Sequence, residues 1–184
     1  ACFGETDFEG LLPHKIPIHG VLGDSHGSLF GQGCLQPGMI KSTYGTGSSI
    51  MMNIGEKPIL STHGVVTSLA WKIGGKVNYV LEGNLNYTGA VITWLKDDLQ
   101  IIASPGETGP LAKAAIQEDS LYLVPAFSGL GAPYWDSEAR ASVVGMSRTT
   151  RKAEFVRAAL ECIAYQITDV VQAMAEDAGV PVKE

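Results

Sequence analysis

The stretch Tyr44-Gly45-Thr46-Gly47-Ser48-Ser49 separates two segments that we predict to be strands, 41–44 and 50–54. Two glycines around a threonine favour a tight turn whose backbone N–H groups converge, and a turn of this kind can bind an anion. The neighbouring hydroxyl groups add further hydrogen-bond donors. An ordinary Gly-rich hairpin is the alternative, and the turn alone does not decide between the two.

The segment upstream of this turn favours the binding interpretation. Gly23-Asp24-Ser25-His26 follows an apolar run, 16–22, that we predict to be a buried strand. A short helix should follow, from Ser25 to about Gln32. Asp24 then occupies the position of a helix N-cap, so capping is its structural explanation, and a carboxylate at the rim of a cleft is its functional one.

The composition narrows the class of protein. The chain has 184 residues, of which 45% are hydrophobic and 17% charged, enough for one soluble domain with a core. No apolar run could span a bilayer, no signal peptide is visible, and the net charge of −6 argues against binding to nucleic acid. Cys2, Cys34 and Cys162 lack metal-ligand spacing, so we expect reduced thiols in a cytoplasmic protein. Because the chain opens with Ala1 rather than Met, we expect an excised or truncated domain.

The middle of the chain predicts a hairpin followed by a helix. Strands 65–73 and 76–81 flank Gly74-Gly75, so this part of the sheet should be antiparallel. We expect the second strand to break at Glu82-Gly83-Asn84, with a helix over 86–102. Its predicted core face consists of Tyr87, Val91, Leu95, Leu99 and Ile102.

A second stripe of the same helix carries small side chains. Gly89 and Thr93 are four residues apart and lie about 200° from Val91 and Leu95, at 100° per residue. Small residues let another group approach closely, although solvent exposure is the ordinary explanation.

The C-terminal half predicts a short helix, two short strands and a long final helix. The short helix covers Leu111 to Gln117, and the strands cover 121–126 and 141–146. Between the strands lies a Gly-rich loop, in which we expect Trp135 to be structural. The final helix covers 151–178, with Thr150 as its cap and Gly179 and Pro181 at its end. Its predicted apolar stripe is Phe155, Ala159, Ile163, Ile167, Val170 and Met174.

These motifs together resemble the FGGY family of carbohydrate kinases, and among them the glycerol kinases. The resemblance runs from about Ile16 to Gly179 and includes Gly145, Glu154, Ala158 and Glu161 of the family's second signature. The other motifs that carry it are Gly23-Asp24, Leu29-Phe30-Gly31-Gln32-Gly33, Tyr44-Gly45-Thr46-Gly47, Leu81-Glu82-Gly83, Trp94-Leu95, Val124-Pro125-Ala126-Phe127 and Gly129-Leu130-Gly131-Ala132-Pro133-Tyr134-Trp135.

The resemblance implies an α/β fold related to actin and ribonuclease H, with a mixed sheet flanked by helices. Two such domains close over ATP and a sugar or polyol. Residues 1–184 would be a single domain, most of the second one. The acidic residue that organises Mg²⁺ would lie in the first domain, so we expect no metal ligands in this chain. The fragment alone should be inactive, and we expect the full-length protein to be a homo-oligomer.

The resemblance also assigns roles to residues of this sequence. Asp24 corresponds to the catalytic base that removes a proton from the acceptor hydroxyl. Thr46 and the N–H groups of Gly45 and Gly47 correspond to the phosphate loop. Gly89 and Thr93 fall on helix positions that line the nucleotide site, with Thr93 in place of the glutamine of the glycerol kinases.

Two departures from the glycerol kinase pattern concern the acceptor. Ser25 replaces a glutamine that binds glycerol, and Ser49 replaces a phenylalanine. Both changes make the substrate site roomier and more polar, which suits a larger, pentose-sized sugar or polyol. His26 is either a further sugar ligand or a residue behind the site.

Two other classes of protein stay open at this point. The same fold family includes ATPases that phosphorylate no sugar, and the chain could also belong to a non-catalytic sensor of sugar or nucleotide. Sugar-dependent release of ADP would separate a kinase from both. An acid-led Gly-Thr phosphate loop in the sequence upstream of Ala1 would also support the kinase.

Overall fold

The structure is a computed structural model that describes residues 2–116 and 120–183. Its strands are β1 (Glu5–Thr6), β2 (Ile16–Pro17), β3 (Ile40–Tyr44), β4 (Ser48–Gly55), β5 (Val66–Ile73), β6 (Lys76–Leu85), β7 (Tyr122–Val124) and β8 (Ser142–Val144). Its helices are α1 (Asp24–Gly31), α2 (Gly89–Thr93), a π-helix (Trp94–Asp98), a 3₁₀-helix (Pro105–Glu107), α3 (Thr108–Ala114) and α4 (Lys152–Ala178).

A four-stranded sheet in the order β3-β4-β6-β5 forms the centre, and all its strand pairs are antiparallel. The predicted Gly74-Gly75 hairpin is confirmed, since Ile73 pairs with Lys76 and both glycines have positive φ. The predicted break at Glu82-Gly83-Asn84 is wrong. These residues continue β6 because they pair with residues 49–51 of β4.

The sheet is covered on both faces. Ile50, Met52 and Leu81 pack against Val170 and Met174 of α4, and all five are fully buried. Gly83 allows this contact, since a Cβ there would lie 2.4 Å from the Cγ1 of Val170. The opposite face carries Met51 and Val80, which pack with Leu29 of α1.

A third core joins the α2 region to the first half of α4. Its fully buried or nearly buried members are Val91, Leu95, Ile102, Leu121, Leu123, Val156, Ala158, Ala159 and Cys162. The prediction that Leu99 belongs to this core is wrong, because its side chain is 40% exposed. The helix changes to π geometry at Trp94 and ends after Asp98, so the 3.6-residue period no longer holds at residue 99.

The predicted buried strand 16–22 is also wrong. Only Ile16–Pro17 pairs, with β1, and Val21 and Leu22 are 66% and 48% exposed. Ile18 still bonds to the residues before β1, since its N–H donates to Gly4 O at 2.8 Å and its carbonyl accepts from Phe3 N at 2.9 Å. Residues 19–22 belong to no strand of the described residues. An alternating apolar pattern indicates a strand only where a neighbour completes the hydrogen bonds.

The ends of the helices differ in detail from the prediction. Arg151, not Thr150, precedes α4, because the Arg151 N–H donates to Glu154 Oε2 at 2.8 Å. Gly179 ends α4 in the left-handed conformation, as predicted. Helix α3 covers 108–114 rather than 111–117, and Gln117 lies outside the described residues. In the part of the chain that the structure describes, no helix is both long and apolar enough to cross a membrane.

Candidate functional site

The Gly-Thr-Gly turn joins β3 to β4, and Tyr44 pairs with Ser48 at its base. The Gly45 N–H donates to Gly47 O at 2.8 Å, so it is used inside the turn, contrary to the prediction that it serves a phosphate. The Gly47 N–H makes no hydrogen bond within the described residues, and Thr46 is exposed. Two donors of the predicted set, the Thr46 hydroxyl and the Gly47 N–H, are therefore available to an anion.

The carbonyl groups of the turn hold the start of α2. Gly45 O accepts a hydrogen bond from Gly89 N at 3.0 Å, and Thr46 O accepts from Thr88 N and Ala90 N at 3.1 and 3.0 Å. The hydroxyls of Ser48 and Thr88 are 2.9 Å apart and buried. These bonds satisfy N–H groups that a helix otherwise leaves without partners, so turn and helix form one unit.

Two glycines are required by this close packing. A Cβ on Gly47 would lie 2.2 Å from Leu85 O, and a Cβ on Gly89 would lie 2.4 Å from Gly45 O. Gly89 and Thr93 share a face as predicted, because the Thr93 hydroxyl donates to Gly89 O at 3.4 Å. The group that approaches Gly89 is the turn itself, while Thr93 is exposed.

Asp24 does not cap α1. The helix begins at Asp24, and Gly23 is the N-cap, with its carbonyl accepting from Gly27 N at 2.7 Å. The Asp24 carboxylate is exposed, and within the part of the chain that the structure describes it accepts only from the adjacent Ser25 N, at 2.6 Å. The capping explanation is therefore wrong, because Asp24 is the first residue of the helix and its carboxylate makes no capping hydrogen bond.

The sheet face covered by α1 carries a row of side chains, Lys41, Thr43 and Ser49, that leads to the turn. Directly paired residues share a face, so Ser49 lies on the α1 face beside Thr43 of β3. Lys41, two residues away on the same face, donates to the Ser49 hydroxyl at 3.4 Å. Burial lowers the pKa of Lys41, and the nearby carboxylates of Glu82 and Asp24 oppose that effect. Helix α1, which begins at Asp24, thus covers the sheet face that carries Lys41 and Ser49.

Sequence reasoning missed Lys41 and Glu82. A single lysine in a strand usually points to solvent, and only the register shows that Lys41 faces α1. The signal for Glu82 was its position in Leu81-Glu82-Gly83, which the predicted strand break concealed. Its carboxylate accepts from Asn84 Nδ2 at 3.2 Å.

His26 and Ser25 lie beside this row, both half-buried. The His26 Nε2 is 3.3 Å from the hydroxyl of Ser68 on β5. That contact fixes the ring against the sheet and supports a role behind the site rather than as an open sugar ligand.

The loop that follows β7 is hydrogen-bonded to β6 and to the residues just before β5. Ala132 N donates to Asn84 O at 3.3 Å, and Trp135 Nε1 donates to Gly64 O at 2.6 Å. The Tyr134 hydroxyl donates to Asp169 on α4 at 2.9 Å. The bond from Trp135 is consistent with the structural role predicted for it, although its side chain is 58% exposed.

The segment 61–63, which precedes β5, is hydrogen-bonded to the end of α4. Asp177 accepts hydrogen bonds from the Ser61 hydroxyl at 2.5 Å, Thr62 N at 2.9 Å and His63 Nδ1 at 2.7 Å. Burial alone would raise the pKa of Asp177, but these donors outweigh it and hold that pKa well below 3.8. The hydrogen bond to Asp177 raises the pKa of His63 above 6.5, and Glu176 at 3.3 Å adds to the effect.

This contact predicts a pH-dependent stability. Because the pKa of His63 is raised on folding, its contribution is complete below pH 6.5 and is lost as pH rises through the raised pKa. His63→Gln should therefore lower the midpoint temperature of thermal unfolding more at pH 6 than at pH 9. His14→Gln, at an exposed histidine, is the control and should show no such difference. Equal losses for His63→Gln at both pH values would contradict the prediction.

Within residues 2–116 and 120–183, no cluster of three His, Cys, Asp or Glu side chains is arranged to hold a metal ion. The site therefore consists of a base candidate, hydroxyl groups and backbone donors. This set can accept a proton from a hydroxyl and stabilise negative charge on oxygen.

Comparison with known sequences gives a family. The model of the FGGY family of carbohydrate kinases, C-terminal domain, matches residues 40–184, so Asp24 lies ahead of the matched region. The glycerol kinases of Chromobacterium violaceum and Bacillus licheniformis are each 51% identical, over 92% and 98% of this chain. The chain spans only about a third of the length of these relatives, 34% and 36%.

Solved structures give the same fold. The crystal structure of Plasmodium falciparum glycerol kinase with ADP superposes with a TM-score of 0.83 at 38% identity, covering 91% of this chain and 33% of that one. A ligand-bound xylulose kinase from Lactobacillus acidophilus gives a TM-score of 0.71 at 26% identity, covering 82% of this chain and 30% of that one. The predicted α/β fold class of the sugar kinases is confirmed, although every pair of named strands in the described residues is antiparallel and the sheet is not mixed.

Proposed function

The chain belongs to the FGGY family of carbohydrate kinases, and from this premise we propose that it is part of an ATP-dependent kinase. The enzyme transfers the γ-phosphoryl group of ATP to a hydroxyl of a sugar or polyol. The observation that carries the proposal is the placement of Asp24. Its carboxylate is exposed, makes no helix-capping hydrogen bond, and stands at the start of α1, which covers the sheet face where Lys41 donates to Ser49 beside the Gly-Thr-Gly turn.

Asp24 acts as the general base in this proposal. As the acceptor oxygen attacks phosphorus, the carboxylate takes the hydroxyl proton, a contribution on the order of 10²–10⁴-fold. The Thr46 hydroxyl and the Gly47 N–H donate to the transferred phosphoryl oxygens, where charge develops. Gly89 and Thr93 line the nucleotide side, next to the turn that Gly89 N–H holds.

Mg²⁺ is proposed as the partner of ATP, and it would neutralise charge on the phosphates. The described residues do not fit a metal site by themselves, since they contain no suitable cluster. We therefore assign the Mg²⁺ ligands to a first domain, with this chain as most of the second. The homo-oligomeric state stays a prediction.

The test is an assay of the full-length protein for ADP release from ATP with and without added sugars and polyols. A kinase releases ADP only when an acceptor is present, and a phosphorylated product accumulates in equal amount. ADP release without an acceptor would favour an ATPase. Binding of nucleotide or sugar without turnover would favour a sensor, and either result would overturn the proposal.

Ser49 and Ser25 point to an acceptor larger than glycerol, and a pentose-sized ketose or alditol is our proposal. An aromatic side chain at position 49 would pack on a three-carbon ligand, whereas Ser49 leaves a gap and a hydroxyl. The Ser49 oxygen already accepts from Lys41 Nζ at 3.4 Å, so its proton can be donated to a further hydroxyl of the substrate. Ser25 is shorter than glutamine and leaves space beside Asp24.

We expect the kcat/KM of the full-length protein for the best pentose-sized acceptor to exceed that for glycerol by roughly 10–200-fold. Glycerol, erythritol, xylitol, ribulose and xylulose are compared under one set of conditions. The variant Ser49→Phe should move the preference towards glycerol, while Ser42→Phe, at an exposed position of β3, is the control. A wild-type protein with its highest kcat/KM for glycerol would refute the proposal, as the 51% identical glycerol kinases make glycerol the natural reference.

A further inference from the structure

Lys41 is a buried cation with an unusual set of partners. It is 5% exposed, and its Nζ donates to Thr43 Oγ1 at 2.9 Å and to Ser49 O and Oγ, both at 3.4 Å. It forms no salt bridge with any of the residues that the structure describes. Neutral oxygens alone therefore satisfy this ammonium group directly.

Such an arrangement is costly for folding. An ammonium group taken out of water loses hydration that neutral acceptors replace only in part, and an apolar side chain of the same length would avoid the loss. The charged or titratable groups that act on it are Glu82 of β6, Asp24 of α1 and the thiol of Cys34. A residue kept at such a cost calls for a role other than packing.

The hydrogen bond to Ser49 has a direct chemical consequence. An ammonium group can only donate, so the Ser49 oxygen must accept, and the proton of the Ser49 hydroxyl is left for another acceptor. Ser49 is half-buried, and it pairs with Thr43 on one side and Asn84 on the other. The Asn84 Nδ2 donates to Glu82 Oε1 at 3.2 Å, and within the described residues the Ser49 hydroxyl proton is donated to no protein acceptor.

We infer that Lys41 is a positioning residue that fixes Ser49 as a hydrogen-bond donor and thereby selects acceptor substrates carrying a hydroxyl oxygen at that place. This inference rests on the proposed function and deepens it. Lys41 takes no part in proton transfer. Lys41 orients the Ser49 hydroxyl, and this hydroxyl binds the part of the sugar or polyol beyond the reacting carbon.

The test is a double-mutant cycle in the full-length protein with the variants Lys41→Met and Ser49→Ala. Each single change should lower kcat/KM for the best pentose-sized acceptor about tenfold, mainly through KM, and should change that for glycerol less than twofold. Both changes remove the same interaction, the hydrogen bond by which Lys41 orients Ser49. The kcat/KM of the double variant should therefore be at most about twofold lower than that of either single variant. Lys72→Met, at an exposed lysine of β5, is the matched control and should leave both acceptors unaffected.

Thermal unfolding distinguishes a positioning role of Lys41 from a role in the stability of the fold. Lys41→Met should have an unchanged or higher unfolding midpoint, since it removes a buried cation without an ion pair. A lower midpoint with equal losses for both acceptors would overturn the inference, as would independent, multiplying effects in the double variant. Lys41→Gln provides a second polar variant if Lys41→Met does not fold, and it should show the same loss of selectivity. A wild-type protein without acceptor-dependent ADP release would overturn the proposed function, whereas an active one with unaltered selectivity in Lys41→Met overturns only this inference.

Discussion

Residues 1–184 produced on their own are expected to fold and yet to release no ADP when sugars or polyols are added to ATP. Folding is expected because three buried clusters cover both faces of the sheet and the α2 region. Activity is not expected because the candidate groups stand open. Asp24 and Thr46 are exposed, and the described residues contain no metal cluster.

The size of this effect follows from what a closed cleft supplies. Holding acceptor, donor and base together can account for about 7–11 kcal/mol of barrier lowering, and one wall of a cleft provides little of it. The relatives are about three times as long as this chain, so they have residues enough for a second wall. The proposal assigns the remaining contacts to that part.

The measurement compares ADP release by residues 1–184 and by the full-length protein at equal concentration. A cooperative thermal transition of the shorter chain is the control that it is folded. Acceptor-dependent turnover by the folded 184 residues at a rate near that of the full-length protein would contradict the two-domain proposal. The catalytic groups would then all lie within this chain.

The sequence predicts the central sheet well where local signals agree. Gly74-Gly75 between alternating residues specifies a two-residue hairpin, and the Gly-Thr-Gly turn has strands on both sides, as predicted. Prediction fails where the decisive contact is distant. Gly83 looks like a strand breaker, yet it is needed because Val170 of α4 packs against it. The run 16–22 looks like a buried strand, yet residues 19–22 join no strand of the described residues.

Some residues of the candidate site can be named from the sequence, but Lys41, Glu82 and the connections between the residues cannot. Asp24, Thr46 and Ser49 can be found by motif and resemblance, since each lies in or directly beside a short sequence motif. The use of Gly45 N–H inside the turn depends on backbone geometry that composition does not reveal. Lys41 depends on register, because its side chain meets Ser49 only through the pairing of β3 with β4.

The variant Asp24→Asn of the full-length protein is expected to lower kcat at least about 100-fold and to leave the KM for ATP near its wild-type value. Asparagine keeps the size and the hydrogen-bond acceptor of the side chain but cannot take a proton at neutral pH. The loss should thus fall on the chemical step and not on nucleotide binding. Steady-state kinetics with the best acceptor and varied ATP provide the measurement.

Stability separates this catalytic role from a structural one for Asp24. Gly23 rather than Asp24 caps α1, so neither Asp24→Asn nor Asp24→Ala removes a capping bond, and both variants should unfold near the wild-type temperature. Asp98→Asn, at an exposed aspartate of the π-helix, is the matched control and should keep full kcat. Asp24→Glu retains a base but moves it by one methylene, so it should recover part of the activity that Asp24→Asn loses. Near-normal kcat in Asp24→Asn would exclude Asp24 as the base, because asparagine cannot take the proton of the acceptor hydroxyl.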